Sequence, residues 1–249
     1  MHFMKTNNAH PTYWTPKDIG SCKNDRIKDI HKDLNEKIAD PKYPCVGAKA
    51  SINTDQYRMG IYEGMASEKT TQQLSIDLKK YTRETIDADS DYLTFIAYFT
   101  DEIDSELDFE QRLWDQLQKL HDFEGHKDNW DPSVSSNPED DNFSFSFGGT
   151  AFFIVGLHPK ASRLARRISY PAMAFNLHRQ FDKLRENDQF ENMKKVIRDR
   201  DLAYQGSINP MLEDFGEGQE APQYSGRRVE KNWKCPFHNE NIQPEKEKV

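Results

Sequence analysis

The sequence predicts a mixed α+β fold in one domain: a central, mostly antiparallel sheet flanked by helices and wrapped by a long C-terminal tail. Apolar residues at helical spacing, Ile27, Ile30, Leu34 and Ile38, and again Phe109, Leu113, Leu117 and Leu120, predict flanking helices. Alternation at Phe143, Phe145 and Phe147, followed by Gly148-Gly149 and the apolar run Ala151 to Leu157, predicts adjacent strands. From Leu202 no period persists, yet Met211, Leu212, Phe215, Tyr224, Trp233 and Phe237 still have to be buried, so the tail must lie on the core.

Taken in order, Lys23 to Asp40 is an amphipathic helix that ends before Pro41, because proline cannot continue it. Tyr57, Met59 and Ile61 alternate with Arg58, Gly60 and Tyr62 as a half-buried strand does. A helical stretch follows from about Ser67 through Leu74, Leu78 and Tyr81, then a strand over Tyr92 to Phe99. Ser105-Glu106-Leu107-Asp108 opens the next helix in the manner of a capping box, where hydroxyl and carboxylate satisfy the first free N–H groups. Asp131 to Asn142, rich in Pro, Ser, Asn and Asp, is an exposed loop. Beyond the two Phe-rich strands come a short strand, Ala172 to Phe175, and helices over His178 to Arg185 and Glu191 to Arg200. The domain is expected to span 1–249, with 1–20 and 239–249 peripheral or frayed.

Composition sets bounds on function. The 249 residues suffice for one core, and 12% aromatic content beside 35% hydrophobic residues is unlike a disordered chain. A net charge of −8 argues against a general nucleic-acid surface, which needs clustered Lys and Arg. No apolar run approaches the ~20 residues of a membrane span, and Met1 to Pro16 holds no apolar signal core, so the expected location is cytoplasmic with no membrane partner. Cys22, Cys45 and Cys235 are too few for a disulfide framework or a four-cysteine cluster. Phosphate loops, G-x-G-x-x-G turns and H-E-x-x-H helices are absent.

Several residues could carry chemistry. Pro44 breaks the chain before Cys45, and Gly47 and Ala48 after it would let a flat ligand approach, while N–H groups of a helix start would favour thiolate. A small buried thiol is the plainer reading. His158 closes a strand before Pro159, where an imidazole could bind iron, relay a proton or simply cap a loop. Arg163 and Arg167, a helical turn apart on one face beside Arg166, could fork onto carboxylates or merely be solvated. Asn176 and His178, between Phe175 and Phe181, suit an active-site turn or an ordinary helix cap. Cys235 and His238 have a zinc-like spacing that His121, His126 or Cys22 could complete, but no second close pair exists.

The strings Tyr43-Pro44-Cys45, Leu157-His158-Pro159, Ser162-Arg163, Arg166-Arg167, Phe175-Asn176, His178, Gln180-Phe181, Ile197-Arg198, Arg200-Asp201, Gly206, Asn209-Pro210, Gln223-Tyr224-Ser225-Gly226-Arg227, Trp233 and Cys235-Pro236-Phe237 together resemble the YqcI/YcgG family. The resemblance is dense from Gly148 to Phe237, thin before Pro44, and weak over 66–142. Tyr43 stands where Phe is expected and Leu177 where proline is common; neither change touches Cys45 or His178.

The resemblance implies a haem-dependent oxygenase that hydroxylates the guanidine or amine nitrogen of a free amino acid such as arginine, with haem b as cofactor. Under it Cys45 is the expected axial ligand, since Cys followed by Val-Gly is similar to the ligand surroundings of thiolate-haem oxygenases, nitric oxide synthase included. His158 is the alternative ligand; otherwise it shares a proton relay with His178, near Asn176. Gly47, Ala48 and Phe175 would contact the macrocycle, and Arg58, Arg163 and Arg167 its propionates. Arg227 would hold a substrate carboxylate beside Tyr224, and Glu213 and Asp214 would face a cationic amine. With no flavin, nicotinamide or iron–sulfur signature, a dioxygen-driven cycle needs a separate reductase, whereas a peroxide-driven one does not. A homodimer is compatible with this reading. The rival readings are a non-catalytic haem-binding or haem-sensing protein and a zinc-bound interaction module.

Overall fold

A six-stranded sheet separates two apolar layers in the computed structural model, which describes residues 12–88, 90–124, 130–187, 189–211 and 218–239. The strands are β1 (Tyr13–Trp14), β2 (Tyr57–Tyr62), β3 (Thr94–Phe99), β4 (Phe145–Phe147), β5 (Thr150–Leu157) and β6 (Ala172–Leu177), in the spatial order β1-β2-β3-β6-β5-β4. Among them only β2 and β3 pair in parallel; the other four pairings are antiparallel. A parallel pair needs a crossover, and α4 (Glu68–Ala88) supplies it. The mixed, mostly antiparallel α+β architecture expected from the sequence is therefore present.

Register fixes what each face presents, because directly opposed residues point the same way. On one face Met59, Ile96, Ala174 and Val155 form a row across four strands, and Ile61, Tyr98, Ala172 and Leu157 form the next. Against this face packs α2 (Asp25–Ala39) through Ile27, Ile30, Leu34 and Ile38, each buried side chain stabilising by roughly 1.5–3 kcal/mol. The opposite face carries Phe95, Phe152, Ile154 and Phe175, covered by Leu74, Leu78 and Tyr81 of α4 and by Phe109, Leu113, Leu117 and Leu120 of α5 (Glu106–Glu124). Cover on the α2 face is incomplete, since Ile61, Val155 and Ala174 are only partly buried although they lie within the sheet.

Some local expectations change. The N-terminal segment, expected at the periphery, supplies the edge strand β1 and the short helix α1 (Pro16–Ser21), which Thr15 and Asp18 close with a reciprocal capping box. The small-residue stretch after Cys45 is a helix, α3 (Val46–Asn53). The arginine segment is a single 3-10 turn, Leu164–Arg166, flanked by extended Arg163 and Arg167. These two are therefore not on one helical face: Arg163 is buried and Arg167 exposed. Asn176 belongs to β6 rather than capping the next helix, α6 (His178–Glu186), which begins without a side-chain cap. Helix α7 (Phe190–Gln205) runs past Arg200 and stops at Gly206, whose φ of 80° is the left-handed conformation that ends helices.

The tail wraps as expected. Strand β4 pairs with β5 only as far as Phe152, and further along the Gly156 N–H donates instead to the Tyr224 carbonyl at 2.7 Å. Tyr224 and Phe237 are both buried against the α5 layer. Leu212 and Phe215 lie outside the described residues, and among those described no helix is long and apolar enough to cross a membrane.

Candidate functional site

Some of the segments that carry the family-like strings, those of Tyr43 to Cys45, His158, Arg163 to Arg167 and Tyr224 to Gly226, come together where the end of β5 adjoins the 3-10 turn Leu164–Arg166. Cys45 is the N-cap of α3, and its Sγ accepts the Ala48 N–H at 3.4 Å. Partly buried, it packs against the same apolar layer as Ala48, Ala165, Val155 and Ala174. Burial pushes its thiol pKa up; the Ala48 and Gly47 N–H groups and the nearby Arg166 guanidinium oppose that without overcoming it. Tyr43, two residues earlier, is buried and donates to the Ala165 carbonyl at 3.2 Å. Gly47 has open space where a Cβ would stand, so no close backbone approach within the fold explains it.

Arg166 reaches from the turn to two carbonyls, Gly156 O at 3.3 Å and Tyr224 O at 3.1 Å. Its neighbours are differently engaged. Arg163 donates to Asp201 and to Ser207, and exposed Arg167 to the Ala161 carbonyl. Arg163 is thereby committed to Asp201, whereas Arg167 uses only its Nε.

His158 lies at the same end of the sheet but across it from Cys45. Its ring stacks on Phe109 of α5 with centroids 4.2 Å apart, is wholly buried, and neither nitrogen has a hydrogen-bond partner. Burial chiefly, with Arg166 adding and Glu106 and Asp108 opposing, lowers its pKa to about 4, so it is a neutral imidazole. Cys45 and His158 thus face different layers, and one flat ligand on the α2 face would meet the sulfur and not the imidazole.

The remaining candidates sit elsewhere. His178 lies beyond the Leu177 row and His158 beyond the Leu157 row, and the rows are five residues apart on β5, so the two histidines stand more than roughly 17 Å apart at strand spacing. A shared relay by these two histidines is not supported by that separation. His178 instead meets Glu220 at 2.9 Å, and Glu220 accepts from the Tyr224 hydroxyl at 2.6 Å and from Ser144 at 2.8 Å. Asn176 accepts from Thr94 and donates to the Phe153 carbonyl. Phe175 is inside the aromatic core against Phe95 and Phe152, away from any surface a cofactor could touch. Arg58 pairs with Glu84 at 2.7 Å and lines a separate cleft of about 470 Å³ with Asp55, Gln56, Ser90 and Tyr92.

In the tail, Arg227 grips Glu110 through two nitrogens at 2.9 and 3.0 Å and also pairs with Glu230, so its fork is already occupied. Tyr224 is fully buried and holds the tail rather than lining an open site. Glu213 and Asp214 lie outside the described residues. Burial pushes the Cys235 thiol up to about 12, and among the described residues no three His, Cys, Asp or Glu side chains converge as a metal would need. His126 is outside the described set. Sequence reasoning missed Glu110 and Glu220, two buried carboxylates whose isolated positions in helix and tail carry no motif; only the tertiary fold gives them partners.

The model of the YqcI/YcgG family matches residues 34–238. YqcI of Bacillus subtilis (strain 168) is 30% identical over 82% of this chain and 84% of its own, and YcgG of the same organism 28% identical over 78% and 80%. A Streptomyces lavendulae protein named "Putative N(omega)-hydroxy-L-arginine synthase DcsA" is 25% identical over 89% of this chain and 87% of its own. No solved structure matches. With the family model spanning the sheet, its helices and the tail that clasps them, this chain belongs to the YqcI/YcgG family.

Proposed function

We propose that the chain is a haem-dependent enzyme that hydroxylates a nitrogen of a small guanidine or amine, an arginine-like amino acid, with Cys45 as the protein's sulfur donor. The observation that carries the reading is the setting of Cys45: a partly buried sulfur at a helix N-terminus, packed against the apolar layer that lies on the incompletely covered sheet face. Backbone N–H groups at such a position stabilise a thiolate, and Gly47, with open space around it, and Ala48, bonded to the sulfur, are small enough for a flat ligand to approach. The name of the Streptomyces relative supports the reaction class.

When bound, haem supplies the activation of dioxygen or peroxide that N-hydroxylation requires. The chain's own contribution follows from its residues. Cys45 rests as a thiol because burial raises its pKa, and a metal cation would displace that proton. A ligand bound on the α2 face would have the apolar side chains of Val155 and Ala174 on that face to exclude water from the reacting nitrogen. His158 suits the donor role less well in this arrangement: its lone pair is uncommitted, but both nitrogens are sealed and Phe109 covers the ring.

The test is an absorption spectrum of protein expressed with ample haem, ferric and then ferrous with carbon monoxide. A Soret band, shifted or lost in Cys45→Ala and kept in Cys235→Ala, is the expected result. A shift in His158→Ala with Cys45→Ala unchanged would move the donor across the sheet. Substrate-dependent oxygen consumption with a reductant, yielding an N-hydroxylated product, separates an enzyme from a haem-binding protein without turnover. A chain that takes up no haem ends the proposal.

A further inference from the structure

We propose that the Arg166 guanidinium is a receptor for a carboxylate that enters beside Cys45. An arginine offers five N–H donors in a planar fork suited to a carboxylate. Arg166 uses only Nη1, on the carbonyls of Gly156 and Tyr224, and no carboxylate pairs with it among the described residues. The acid that bears on it electrostatically, Asp201, is already held by Arg163 at 2.5 Å. The other groups that act on it are the Tyr43 phenol, the Cys45 thiol and the Arg163 guanidinium.

The side chain is also fixed in place. Gly226 has a φ of 81°, and a Cβ there would come 2.5 Å from Arg166 Cδ and 3.0 Å from Nε. Backbone of the tail therefore lies flat along the arginine stem and aims the fork, and only glycine permits it. A partly buried guanidinium without a counter-ion is a costly arrangement, and burial lowers its pKa to about 10. An entering carboxylate would offset that cost with two charge-assisted hydrogen bonds. Arg163 and Arg227 cannot serve so readily, because each already holds its acid.

That a carboxylate binds here is independent of the cofactor; which carboxylate it is, the α-carboxylate of an amino acid or the propionate of a porphyrin, rests on the function proposed above. Two pairs of probes separate these sources. L-arginine and agmatine differ in the carboxylate alone, and so do haem and its dimethyl ester as regards free propionates. We expect Arg166→Gln to weaken the carboxylate-bearing member of one pair by tenfold or more, leaving its partner unchanged, in calorimetric or absorbance titrations of the full chain.

Loss within the arginine pair assigns the receptor to substrate, and loss within the haem pair assigns it to the propionate. Arg166→Lys, which keeps the charge and loses the fork, should fall between, and it replaces the Gln variant if thermal melts show that one unfolded. Wild-type protein that discriminates neither pair, or variants that weaken both members alike, would overturn the inference. Failure of haem to bind removes the N-hydroxylase reading and still leaves the arginine pair to decide on Arg166.

Discussion

A buried imidazole with no hydrogen-bond partner makes His158 a source of pH-dependent stability in the haem-free chain. Its ordinary pKa of 6.5 falls to about 4 in the fold, so the unfolded chain takes up a proton first as pH drops. Stability is full above about pH 6.5, declines as pH falls between the two values, and this contribution is gone below about 4. A difference of that size corresponds to about 3 kcal/mol. His158→Phe keeps a flat ring on Phe109 and removes the titration, so it should match or exceed wild type near neutrality and lose less between pH 6.5 and 4. Urea denaturation across that range measures both slopes; equal slopes would mean that His158 does not fold as a sealed, neutral ring. The same substitution leaves the Cys45 side of the sheet untouched, so a haem spectrum unaffected by it fits the sulfur donor.

At the scale of elements, the approach of α5 to β5 depends on one missing side chain. A Cβ at Gly156 would stand 2.6 Å from Phe109 Cε1, 2.8 Å from the Tyr224 carbonyl and 3.0 Å from Leu113 Cδ1. Gly156→Ala should therefore push helix and tail from the sheet and cost about 1–3 kcal/mol, read as a lower melting temperature. Gly148→Ala is the contrast: its φ of 59° is strained for alanine, but its space is open, and about 1 kcal/mol is expected. Elements such as α2, α5 and β5 were legible in the sequence because their apolar periods run long enough to fix a buried face. Two-residue β1 and six-residue α1 carry too little pattern, and α3 has too few polar residues opposite its apolar ones to show a face. For the site, Pro44 and the small residues after Cys45 marked a place open to a flat ligand but not the helix that starts there, and nothing local distinguished Arg166 from Arg163 and Arg167. Which of the three is engaged depends on a 3-10 turn and on Asp201, 38 residues after Arg163.

For the whole molecule, the tail is the part that joins the two ends of β5. Near one end Glu110 of α5 receives Arg227, the Ser225 hydroxyl at 2.9 Å and the Trp233 indole at 3.2 Å. Near the other, Glu220 gathers His178, Tyr224 and Ser144. Between them Tyr224 pairs with the edge of β5 that β4 leaves uncovered. Removing Glu110 leaves a partly buried Arg227 with only the exposed Glu230 as its acid and strands the Ser225 and Trp233 donors, and breaking such a buried pair costs about 3–5 kcal/mol. Glu110→Ala should therefore release the tail before it unfolds the sheet. Hydrogen exchange tests this: the Gly156 amide, bonded to Tyr224, should exchange far faster in the variant, while Phe95 and Ile96 amides in central β3 keep their protection. If Gly156 and β3 lose protection together, the tail folds as one unit with the sheet. If only Gly156 does, the bare edge of β5 becomes a surface for strand pairing between chains, and the variant should aggregate at concentrations where wild type does not.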